Sequence, residues 1–418
     1  MGNDGDLHGT RGGHSREETG HMIPRHRPPF GVGTVLATTL STANTVSVER
    51  VEEAYAAEFG LYAVLLPSAR AGICWALRAV VNPDTSVIGP AYTCNVVHEA
   101  MARSGGKLRL IDAGINTFLI DPARLASETC DNCAVVLSEN YGYSYEPYAE
   151  NDSVSVAPRL RIFDASMTIP TIQSFERVLG NDCVIFSFGI GKCIYSGFGG
   201  IGLTKDKNLA DEIRNRRDAH LRKETLLLLI MRGAEIGLRT MAHTRSLYGL
   251  LYKFRRPPSD LETFPSAWSG DELISKEWYL PSTYLDRRLA LHNLQHRTEL
   301  NERRINLAAR YHRNLAGAAG VISPSLAPYA MSHYTIRVPS ELRDGIQAAL
   351  WRLGVDAGTL FRSPSYISMN WYPNARRISG EVLNLPLDAN LNNEDVDYIC
   401  DCVIRCVSQI RATSREIT

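Results

Sequence analysis

One lysine stands alone among glycines and apolar residues in 186-FSFGIGKCIYSGFGGIGL-203. Within this stretch Lys192 has no carboxylate to pair with its amine. A lysine amine can form a Schiff base with a carbonyl group when its surroundings lower its pKa. The stretch therefore predicts either a reactive amine at Lys192 or, from Gly197, Gly199 and Gly202, a G-x-G-x-x-G dinucleotide turn.

A dinucleotide turn makes further demands that this stretch does not meet. The turn needs a strand before the glycines, a helix directly after them and an acidic residue about twenty positions later. Here Gly199 and Gly200 lead into IGLT, which reads as a strand, and the next helix is predicted to begin only near Asn208. Position 220 is a histidine. We therefore favour the reactive lysine, with the glycines serving tight backbone turns.

A carbonyl cofactor such as pyridoxal phosphate needs three partners besides the lysine. These are a carboxylate at its ring nitrogen, a phosphate-binding helix N-terminus and a side chain stacked on the ring. Asp164 ends the apolar segment LRIFD, where an unpaired carboxylate is costly. The other candidates also follow predicted strands or open predicted helices: Ser68, Ala69, Arg70, Tyr92 and Ser187. Taken singly, each has a structural alternative, such as a helix cap for Asp164 or Ser68 and a core position for Tyr92.

These candidates are spread over a chain in which helical and strand patterns alternate from about residue 45. The segment 48–60 has helical spacing and ends at a glycine, and 62–81 reads as a strand, a turn and a helix. Further apolar strands are KLRLIDA, CAVVLSENYG, RLRIFDAS and CVIFSFG. Such alternation predicts an α/β fold with a mostly parallel, buried sheet. Functional side chains then gather at the carboxyl ends of the strands.

We predict three parts along the chain. Residues 1–28 are polar and rich in glycine, which predicts a disordered arm. Residues 29–284 are predicted to form a large domain around the parallel sheet, with a helical insertion at 221–256. Residues 285–418 are predicted to form a long polar interdomain helix, over 285–318, followed by a small C-terminal α+β domain.

Composition narrows the possible functions. The 418 residues carry 45 basic and 45 acidic side chains, so the formal net charge is zero and a nucleic-acid partner is not expected. We see no secretory segment and no apolar run of membrane-spanning length. Of nine cysteines, only Cys130 and Cys133 form a C-x-x-C pair, without the second pair or histidines of a zinc site. We therefore expect no metal site and a reducing, cytoplasmic environment.

The ordered motifs resemble those of the DegT/DnrJ/EryC1/StrS aminotransferases over roughly residues 45–408. The family's phosphate turn S-G-T-A-A-L is similar to SARAGI at 68–73, and its S-F-x-x-x-K is similar to SFGIGK, which ends at Lys192. Its D-A-A-Q is similar to DASM at 164–167. Further similar segments are PAYTC, GGKLRLIDA, Tyr141-Gly142, Gly199-Gly200 and LPLDANLNNEDVD. The ordered set is specific, whereas no single segment is.

The resemblance implies a pyridoxal-phosphate-dependent transferase of fold type I. Lys192 then carries the cofactor as a Schiff base, and Asp164 keeps the cofactor's ring nitrogen protonated. The resemblance also implies two small-molecule substrates: an amino-acid donor, glutamate, and an acceptor that is a keto sugar, a cyclitol precursor or another biosynthetic ketone. In this family two subunits share each active site, so a homodimer is expected. The expected activity is therefore amino transfer.

Three positions depart from the family pattern. Met167 replaces the glutamine of D-A-A-Q, Arg70 replaces the threonine of the phosphate turn, and Cys94 occupies a position that often stacks on the cofactor ring. An arginine can still bind phosphate, and Tyr92 is an alternative stacking residue. Because of Met167 and Cys94, a pyridoxal-phosphate-dependent elimination or oxidative reaction stays open as an alternative. A non-catalytic cofactor-binding subunit is a further one.

The segment 221–256 fits neither the family's sugar enzymes nor a simple core. It combines many leucines with basic residues: Arg222, Lys223, Arg232, Arg239, Arg245, Lys253, Arg255 and Arg256. A pair of packed helices buries its apolar residues and pairs its arginines with carboxylates. A basic amphipathic hairpin on a membrane or a lipid-linked substrate leaves an apolar stripe exposed. We favour the packed arrangement, because the net charge is zero and a soluble donor needs no membrane.

Overall fold

The computed structural model describes most of the chain. The described residues are 22–40, 46–145, 157–176, 178–253, 278, 280–323, 325–327, 329–361 and 367–416. They form a seven-stranded sheet with an apolar core on each face and, later in the chain, a two-stranded sheet with helices of its own. The predicted α/β class is confirmed.

The large sheet is mostly parallel. Its strands are β1 Tyr62–Leu66, β2 Ser86–Pro90, β3 Lys107–Ile111, β4 Cys133–Ser138, β5 Leu160–Asp164, β6 Asp182–Ser187 and β7 Gly200–Thr204. They lie in the order β1-β7-β6-β5-β4-β2-β3. Strand β7 is antiparallel to β1 and β6, and the remaining neighbours pair in parallel. A parallel sheet places the carboxyl ends of its strands at one edge, where the predicted site residues lie.

The central strands are buried on both faces, which explains why they read as unbroken apolar runs. In β6, Cys183 and Ile185 pack into the core on one face, while Val184 and Phe186 pack into the core on the other. Only the end of such a strand can present a polar group to a cavity. Asp164 and Ser187 are the last residues of β5 and β6.

Helices cover both faces of the sheet. Those up to the end of the predicted insertion are α1 Val32–Leu40, α2 Val48–Phe59, α3 Ala69–Val80, α4 Asn95–Ala102, α5 Pro122–Glu128, α6 Gln173–Glu176, α7 Lys207–His220, α8 Leu226–Ala242 and α9 Arg245–Lys253. Helices α3, α4 and α7 pack on one face of the sheet, and α2 packs on the other. Strand β7, and no helix, follows Gly199 directly, which agrees with the rejection of a dinucleotide turn.

The C-terminal third begins with the long helix α10, Tyr284–Leu315, close to the predicted 285–318. The later elements are β8 Tyr334–Arg337, α11 Ser340–Arg352, α12 Pro373–Glu381, β9 Val382–Leu385 and α13 Asn393–Glu416. Strands β8 and β9 pair antiparallel. Helix α13 packs on α10 and α11, so the closing amphipathic helix buries its apolar side there.

Part of the predicted disordered arm is ordered. Ile23 bridges Val355, with its N–H donating to the carbonyl of Gly354 at 2.8 Å. Arg25 pairs with Asp356 at 3.2 Å. The prediction is therefore wrong for residues 22–28, because a short run of apolar and basic residues finds partners near the end of α11. Residues 1–21 lie outside the described part of the chain.

The charged residues of the insertion behave as predicted for packed helices. Arg232 lies 2.7 Å from Glu235 and Arg239 lies 3.6 Å from the same carboxylate. Arg245 pairs with the buried Asp395. Residues 254–256 of the insertion lie outside the described residues.

The apolar residues of the insertion do not behave as predicted. Eight large side chains are 45 to 71 % exposed in the single chain: Leu226, Leu227, Ile230, Met231, Leu238, Met241, Leu250 and Leu251. The prediction that they are buried is wrong for these positions, because α8 turns Arg232, Ile236 and Thr240 inward instead. No helix among the described residues has the length and hydropathy needed to cross a membrane.

Candidate active site

A cavity of about 620 Å³ lies where the carboxyl ends of β5 and β6 meet the first turns of α3 and α4. Seven of the nine predicted site residues line it: Ser68, Ala69, Arg70, Cys94, Asp164, Ser187 and Lys192. They come from four separate segments of the chain. The topology of a parallel sheet brings such segments together at one edge.

Lys192 lies in the loop between β6 and β7. Its backbone N–H donates to the carbonyl of Gly189 at 3.3 Å, and Ser196 N–H closes the loop on the carbonyl of Phe188 at 3.0 Å. The Lys192 side chain is half-buried and forms no ion pair with any described residue. An amine held at a cavity wall without a carboxylate is free to react with a carbonyl compound.

Asp164 is a buried carboxylate without a cationic partner among the described residues, with 8 % of its surface exposed. Its Oδ1 accepts a hydrogen bond from the backbone N–H of Ser166 at 3.2 Å. Burying an unpaired carboxylate is unfavourable. The position therefore suits a ligand that brings a positive charge into the cavity.

The first turn of α3 forms a potential anion site. Ser68 is the N-cap, and its hydroxyl accepts from the N–H of Ala71 at 3.2 Å. The N–H groups of Ala69 and Arg70 have no intrahelical acceptor at this end of the helix. A Cβ at Gly200 would lie 2.5 Å from the carbonyl oxygen of Phe186 and 3.2 Å from the nitrogen of Ala69, so only glycine lets these segments approach. An anionic group is stabilised at such a terminus.

The side chains beside this turn are held by their own partners. The Arg70 guanidinium lies 3.3 Å from Glu99, so a carboxylate already holds the side chain that was predicted to reach the phosphate. The Ser187 hydroxyl accepts from the N–H of Gly189 at 3.3 Å.

Cys94, at the N-terminus of α4, also lines the cavity. It is the N-cap residue of α4, and its side chain makes no capping hydrogen bond. Burial raises the pKa of the thiol, the Lys192 charge lowers it and the Asp164 charge raises it again. Because both charges act on this one group, the lysine, the carboxylate and the thiol lie around the same space. The raised pKa keeps the thiol neutral at physiological pH.

The sequence model of one family covers most of this chain. The DegT/DnrJ/EryC1/StrS aminotransferase family matches residues 34–232 and 286–404. The chain belongs to this family. It is therefore a pyridoxal-phosphate-dependent aminotransferase, as the sequence motifs predicted. The gap in the match, between 232 and 286, contains most of the predicted insertion.

Known proteins similar to this chain are distant in sequence, and the solved structures among them are similar in fold. The spore coat polysaccharide biosynthesis protein SpsC of Bacillus subtilis is 22 % identical over 93 % of this chain and 97 % of its own length. The sugar aminotransferase CalS13 of Micromonospora echinospora is 19 % identical, with a TM-score of 0.67 over 92 % of this chain and 100 % of its own. Spr1654 of Streptococcus pneumoniae, solved in a pyridoxal-phosphate form, is 18 % identical, with a TM-score of 0.68 over 93 % of this chain and 100 % of its own.

The residues around the cavity fit the family's cofactor. An unpaired amine at Lys192 suits the aldehyde, and the unpaired carboxylate of Asp164 suits a protonated ring nitrogen. The first turn of α3 suits the phosphate, because Gly200 lets the backbone come close there. Three separate chemical demands of pyridoxal phosphate thus find separate groups in one cavity.

Two predicted site residues do not line the cavity. Tyr92 is buried, and its hydroxyl lies 2.7 Å from that of Tyr141. Its ring meets Phe361 edge-on, with 5.8 Å between centroids. Met167 is also buried, and its sulfur accepts from the Tyr141 N–H at 3.5 Å. Both side chains belong to the core behind the cavity, so stacking of Tyr92 on a ligand in the cavity is not supported.

Sequence reasoning missed the wall that α8 contributes. Leu228, Met231, Arg232 and Glu235 of this helix line the cavity. The guanidinium of Arg232 lies 4.4 Å from the centre of the Phe198 ring. The basic residues of 221–256 are evident in the sequence. Their helical spacing shows which side chains share a face, but it does not tell which part of the protein that face contacts.

A small chamber next to Lys192 was missed as well. It is lined by His26, Tyr195, Arg239 and His243, together with Gly191 and Lys192. The rings of His26 and His243 stack with centroids 5.9 Å apart. Burial, aided by Arg25 and His243, lowers the pKa of His26 to about 3, so the imidazole is neutral. Since the chamber combines an arm residue with a residue of α8, no local pattern could have found it.

Proposed function

We propose that this enzyme moves an amino group from an amino-acid donor, glutamate, to the keto group of a sugar. The donor follows the family resemblance. The acceptor class follows the relatives, which include the sugar aminotransferase CalS13 and a protein of polysaccharide biosynthesis. One observation carries the proposal. Lys192 and Asp164, neither ion-paired with a described residue, line one cavity with the amino end of α3.

Each group has a defined task. Bound pyridoxal phosphate supplies an aldehyde that captures amines and a ring that accepts electrons from the substrate carbon. Asp164 holds the proton on the ring nitrogen, which keeps the ring positive. The N–H groups of Ala69 and Arg70 would bind the phosphate, and the hydroxyls of Ser68 and Ser187, which line the same cavity, would be further donors.

Lys192 has two tasks. Its Nζ holds the cofactor when no substrate is bound. When it does not hold the cofactor, Nζ would remove the proton from the amine-bearing carbon of the donor and would later return a proton to the corresponding carbon of the acceptor. An unpaired lysine suits this work because no carboxylate competes for its proton.

The wall formed by α8 is positioned to contact the acceptor. Met231 and Leu228 present apolar surface, whereas Glu235 and Arg232 present charged groups. Sugars offer both CH faces and hydroxyl groups, so a mixed wall suits them. Met167 and Cys94 motivated the elimination or oxidative alternative. Met167 lies outside the cavity wall, whereas Cys94 lines it.

The assembly and the environment also follow the family resemblance and the composition. We infer a homodimer in which the Gly199-Gly200 turn and α7 lie near the subunit interface. We infer a cytoplasmic enzyme, because all nine cysteines are free thiols. Light scattering after gel filtration tests the assembly. A fully active monomer contradicts it.

Product analysis tests the proposed reaction. The purified enzyme is incubated with ¹⁵N-glutamate and a nucleotide-linked 4-keto sugar, and the products are examined by mass spectrometry. We expect ¹⁵N in an amino sugar and release of 2-oxoglutarate in equal amount. Borohydride reduction followed by peptide mapping is expected to place the cofactor on Lys192. Label that stays in glutamate with every keto sugar offered contradicts the acceptor class, and a cofactor mapped to another lysine contradicts the site.

A further inference from the structure

The small chamber beside Lys192 is bounded by three parts of the chain. Its polar side chains come from the N-terminal arm, from the loop that carries Lys192 and from the end of α8. They are His26, Arg27, Tyr195, Arg239 and His243. The chamber has a volume of about 10 Å³, against about 620 Å³ for the main cavity. This is roughly the room that one water-sized particle needs, so a substrate does not fit.

Four of these side chains each hold a buried polar atom that has no hydrogen-bond partner among the described residues. The atoms are His26 Nδ1, Arg27 Nη2, Tyr195 Oη and Arg239 Nε. An unpaired buried polar group is unfavourable, and most such groups in native proteins have a partner. The presence of four around one small chamber indicates that a bound particle is their partner.

The hydrogen-bonding chemistry of these atoms favours an acceptor. The guanidinium nitrogens of Arg27 and Arg239 can only donate, and the Tyr195 hydroxyl has a proton to donate. The neutral His26 ring can carry its one proton on either nitrogen. A water molecule must in addition donate its own protons, and no carboxylate among the described residues lines the chamber to accept them. An anion accepts from all of these donors and needs no acceptor.

The charges around the chamber favour an anion as well. Arg27 and Arg239 bring two guanidinium groups, and Lys192 lines the same space. Their partner carboxylates are not part of the chamber wall: Asp388 lies 3.4 Å from Arg27, and Glu235 lies 3.6 Å from Arg239. The wall therefore carries positive charge and, among the described residues, no negative charge.

The histidines near the chamber respond to this positive charge. Burial is the main cause that lowers the pKa of His26 to about 3, and the charges of Arg25 and Arg239 lower it further, while Asp356 opposes them. Burial and nearby cations also lower the pKa of the buried His333. The imidazoles are therefore neutral and add no positive charge, so one anion is enough to balance the surroundings.

We propose that the chamber binds one monatomic anion, a chloride ion, through Arg27, Tyr195 and Arg239, with His26 as a further donor. This goes beyond the proposed reaction and does not depend on it. The side chains of Arg27 and Arg239 are partly exposed, so they can shift to admit an ion somewhat larger than water. The ion joins the N-terminal arm and α8 to the loop that carries Lys192, and it keeps that loop ordered.

Thermal unfolding tests the proposal. The full-length holoenzyme is unfolded in gluconate, chloride and bromide buffers of equal pH and ionic strength. We expect the midpoint to rise with chloride or bromide concentration until the site is saturated, by about 2 °C or more, because a ligand that binds only the native state stabilises it. Gluconate is too large for the chamber. Equal midpoints in all three salts overturn the proposal.

Matched variants assign the effect to the chamber. Tyr195→Phe removes a hydroxyl that has no partner among the described residues, so the variant is expected to fold. Arg239→Gln removes one guanidinium. Each is expected to weaken the apparent affinity for chloride by about tenfold or more, since each loses a hydrogen bond to an ion. Tyr62→Phe and Arg124→Gln make the same changes at exposed positions, and they are expected to keep the wild-type response. If the chamber variants also keep it, the ion binds elsewhere and the proposal is wrong.

Anomalous diffraction locates the ion directly. Crystals of the holoenzyme grown in bromide are measured at the bromine absorption edge. We expect one anomalous peak in the chamber, within hydrogen-bonding distance of Arg239 Nε and Tyr195 Oη. A water molecule without anomalous signal at this place contradicts the proposal, and so does a carboxylate from a second subunit.

Discussion

Gly197 lies against the buried carboxylate of Asp286, so closely that a Cβ at position 197 would overlap its Oδ1. The other oxygen of Asp286 accepts from the N–H and the hydroxyl of Thr283, at 2.7 and 2.8 Å, in the capping box of α10. The loop that carries Lys192 is thus fitted against the first turn of the long C-terminal helix. Substitutions at Gly197 or at Asp286 are therefore expected to change the position of Lys192.

Gly197→Ala tests this contact. Gly197 has a φ of +107°, which alanine adopts only with strain, and the new methyl group meets a buried carboxylate. We expect a loss of about 1–3 kcal/mol in the free energy of unfolding and weaker cofactor retention. Gly237→Ala is the control, because nothing lies within 4 Å of its Cβ position, and it is expected to stabilise α8 by about 0.5–1 kcal/mol. Urea denaturation measures both, and equal stabilities contradict the prediction.

Asp286 is expected to make stability depend on pH. Burial raises its pKa from 3.8 to about 7, against the opposing charge of Arg232. Between these values the native state keeps a proton that the unfolded state has lost. The stability it contributes is therefore complete below about pH 4 and is lost as pH rises through 7, by at most about 4 kcal/mol.

Asp286→Asn removes this titration. We expect its free energy of unfolding to increase relative to the wild type as pH rises from about 4 to about 7. Chemical denaturation at several pH values gives the difference directly. Asn replacement of the exposed Asp131 is the control for the loss of one carboxylate. A constant difference between wild type and Asp286→Asn across this range contradicts the prediction.

Lys192→Ala removes the amine that holds the cofactor and moves the proton. Turnover is expected to fall by several orders of magnitude while the fold is retained. The near-visible absorbance of the bound cofactor is expected to shift as well. Lys207→Ala is the matched control, because Lys207 lies on the surface of α7 and pairs with Asp211 at 2.6 Å. If Lys192→Ala turns over at a near-normal rate, Lys192 has no role in the mechanism.

Asp164→Asn keeps the shape of the side chain and removes its charge. We expect cofactor binding to persist and the rate of proton removal from the donor to fall, because the ring nitrogen loses its ionic partner. Stopped-flow absorbance in single turnover measures that step. Asp164→Glu is expected to retain more of the rate than the asparagine variant. If wild type and Asp164→Asn react at equal rates, Asp164 has no role in the reaction and serves only as the hydrogen-bond acceptor of the Ser166 N–H.

Tyr92→Leu separates a core residue from a cofactor-stacking residue. The variant loses the hydrogen bond to Tyr141 and leaves a cavity, so we expect a loss of about 2–4 kcal/mol in stability. The affinity for pyridoxal phosphate is expected to stay unchanged, because Tyr92 does not line the cavity. Tyr62→Leu, at a 44 % exposed position, is expected to have little effect. A fall in cofactor affinity with unchanged stability supports stacking instead.

The sheet and most of the site could be predicted because parallel strands leave a clear pattern. The central residues of β5 and β6 are buried and apolar, so the polar side chain that follows each apolar run marks where the strand ends. Asp164 and Ser187 are those side chains. Ser68 was found by a different rule, as an N-cap before an apolar helix. Chain order then placed all three at one edge of the sheet.

The wrong predictions for Tyr92 and for α8 have the same physical reason, which is that a local pattern does not fix the direction of a side chain relative to the rest of the protein. After β2, the chain turns before α4, and no period fixes the direction of a side chain in a turn, so Tyr92 pointed into the core. The periodicity of α8 identified an apolar side and a charged side, but not that the charged side faces the protein. The carboxylate of Asp286, which is distant in sequence from α8, lies 3.8 Å from Arg232 on the inward side of the helix and is not visible to a local pattern.

Residues 22–28 contact two parts of the molecule, the segment at Val355 and the loop that carries Lys192. Ile23 extends the edge at Val355, and three residues later the His26 ring lies 3.4 Å from the position of a Cβ on Gly191, next to Lys192. A shortened protein designed to begin at residue 29, after a supposedly dispensable tail, lacks both anchor points. Purification tags are therefore best joined ahead of residue 22 or at the C-terminus. Removal of residues up to 28 by a protease is expected to make the Lys192 loop less ordered, although it removes no residue of the main cavity wall.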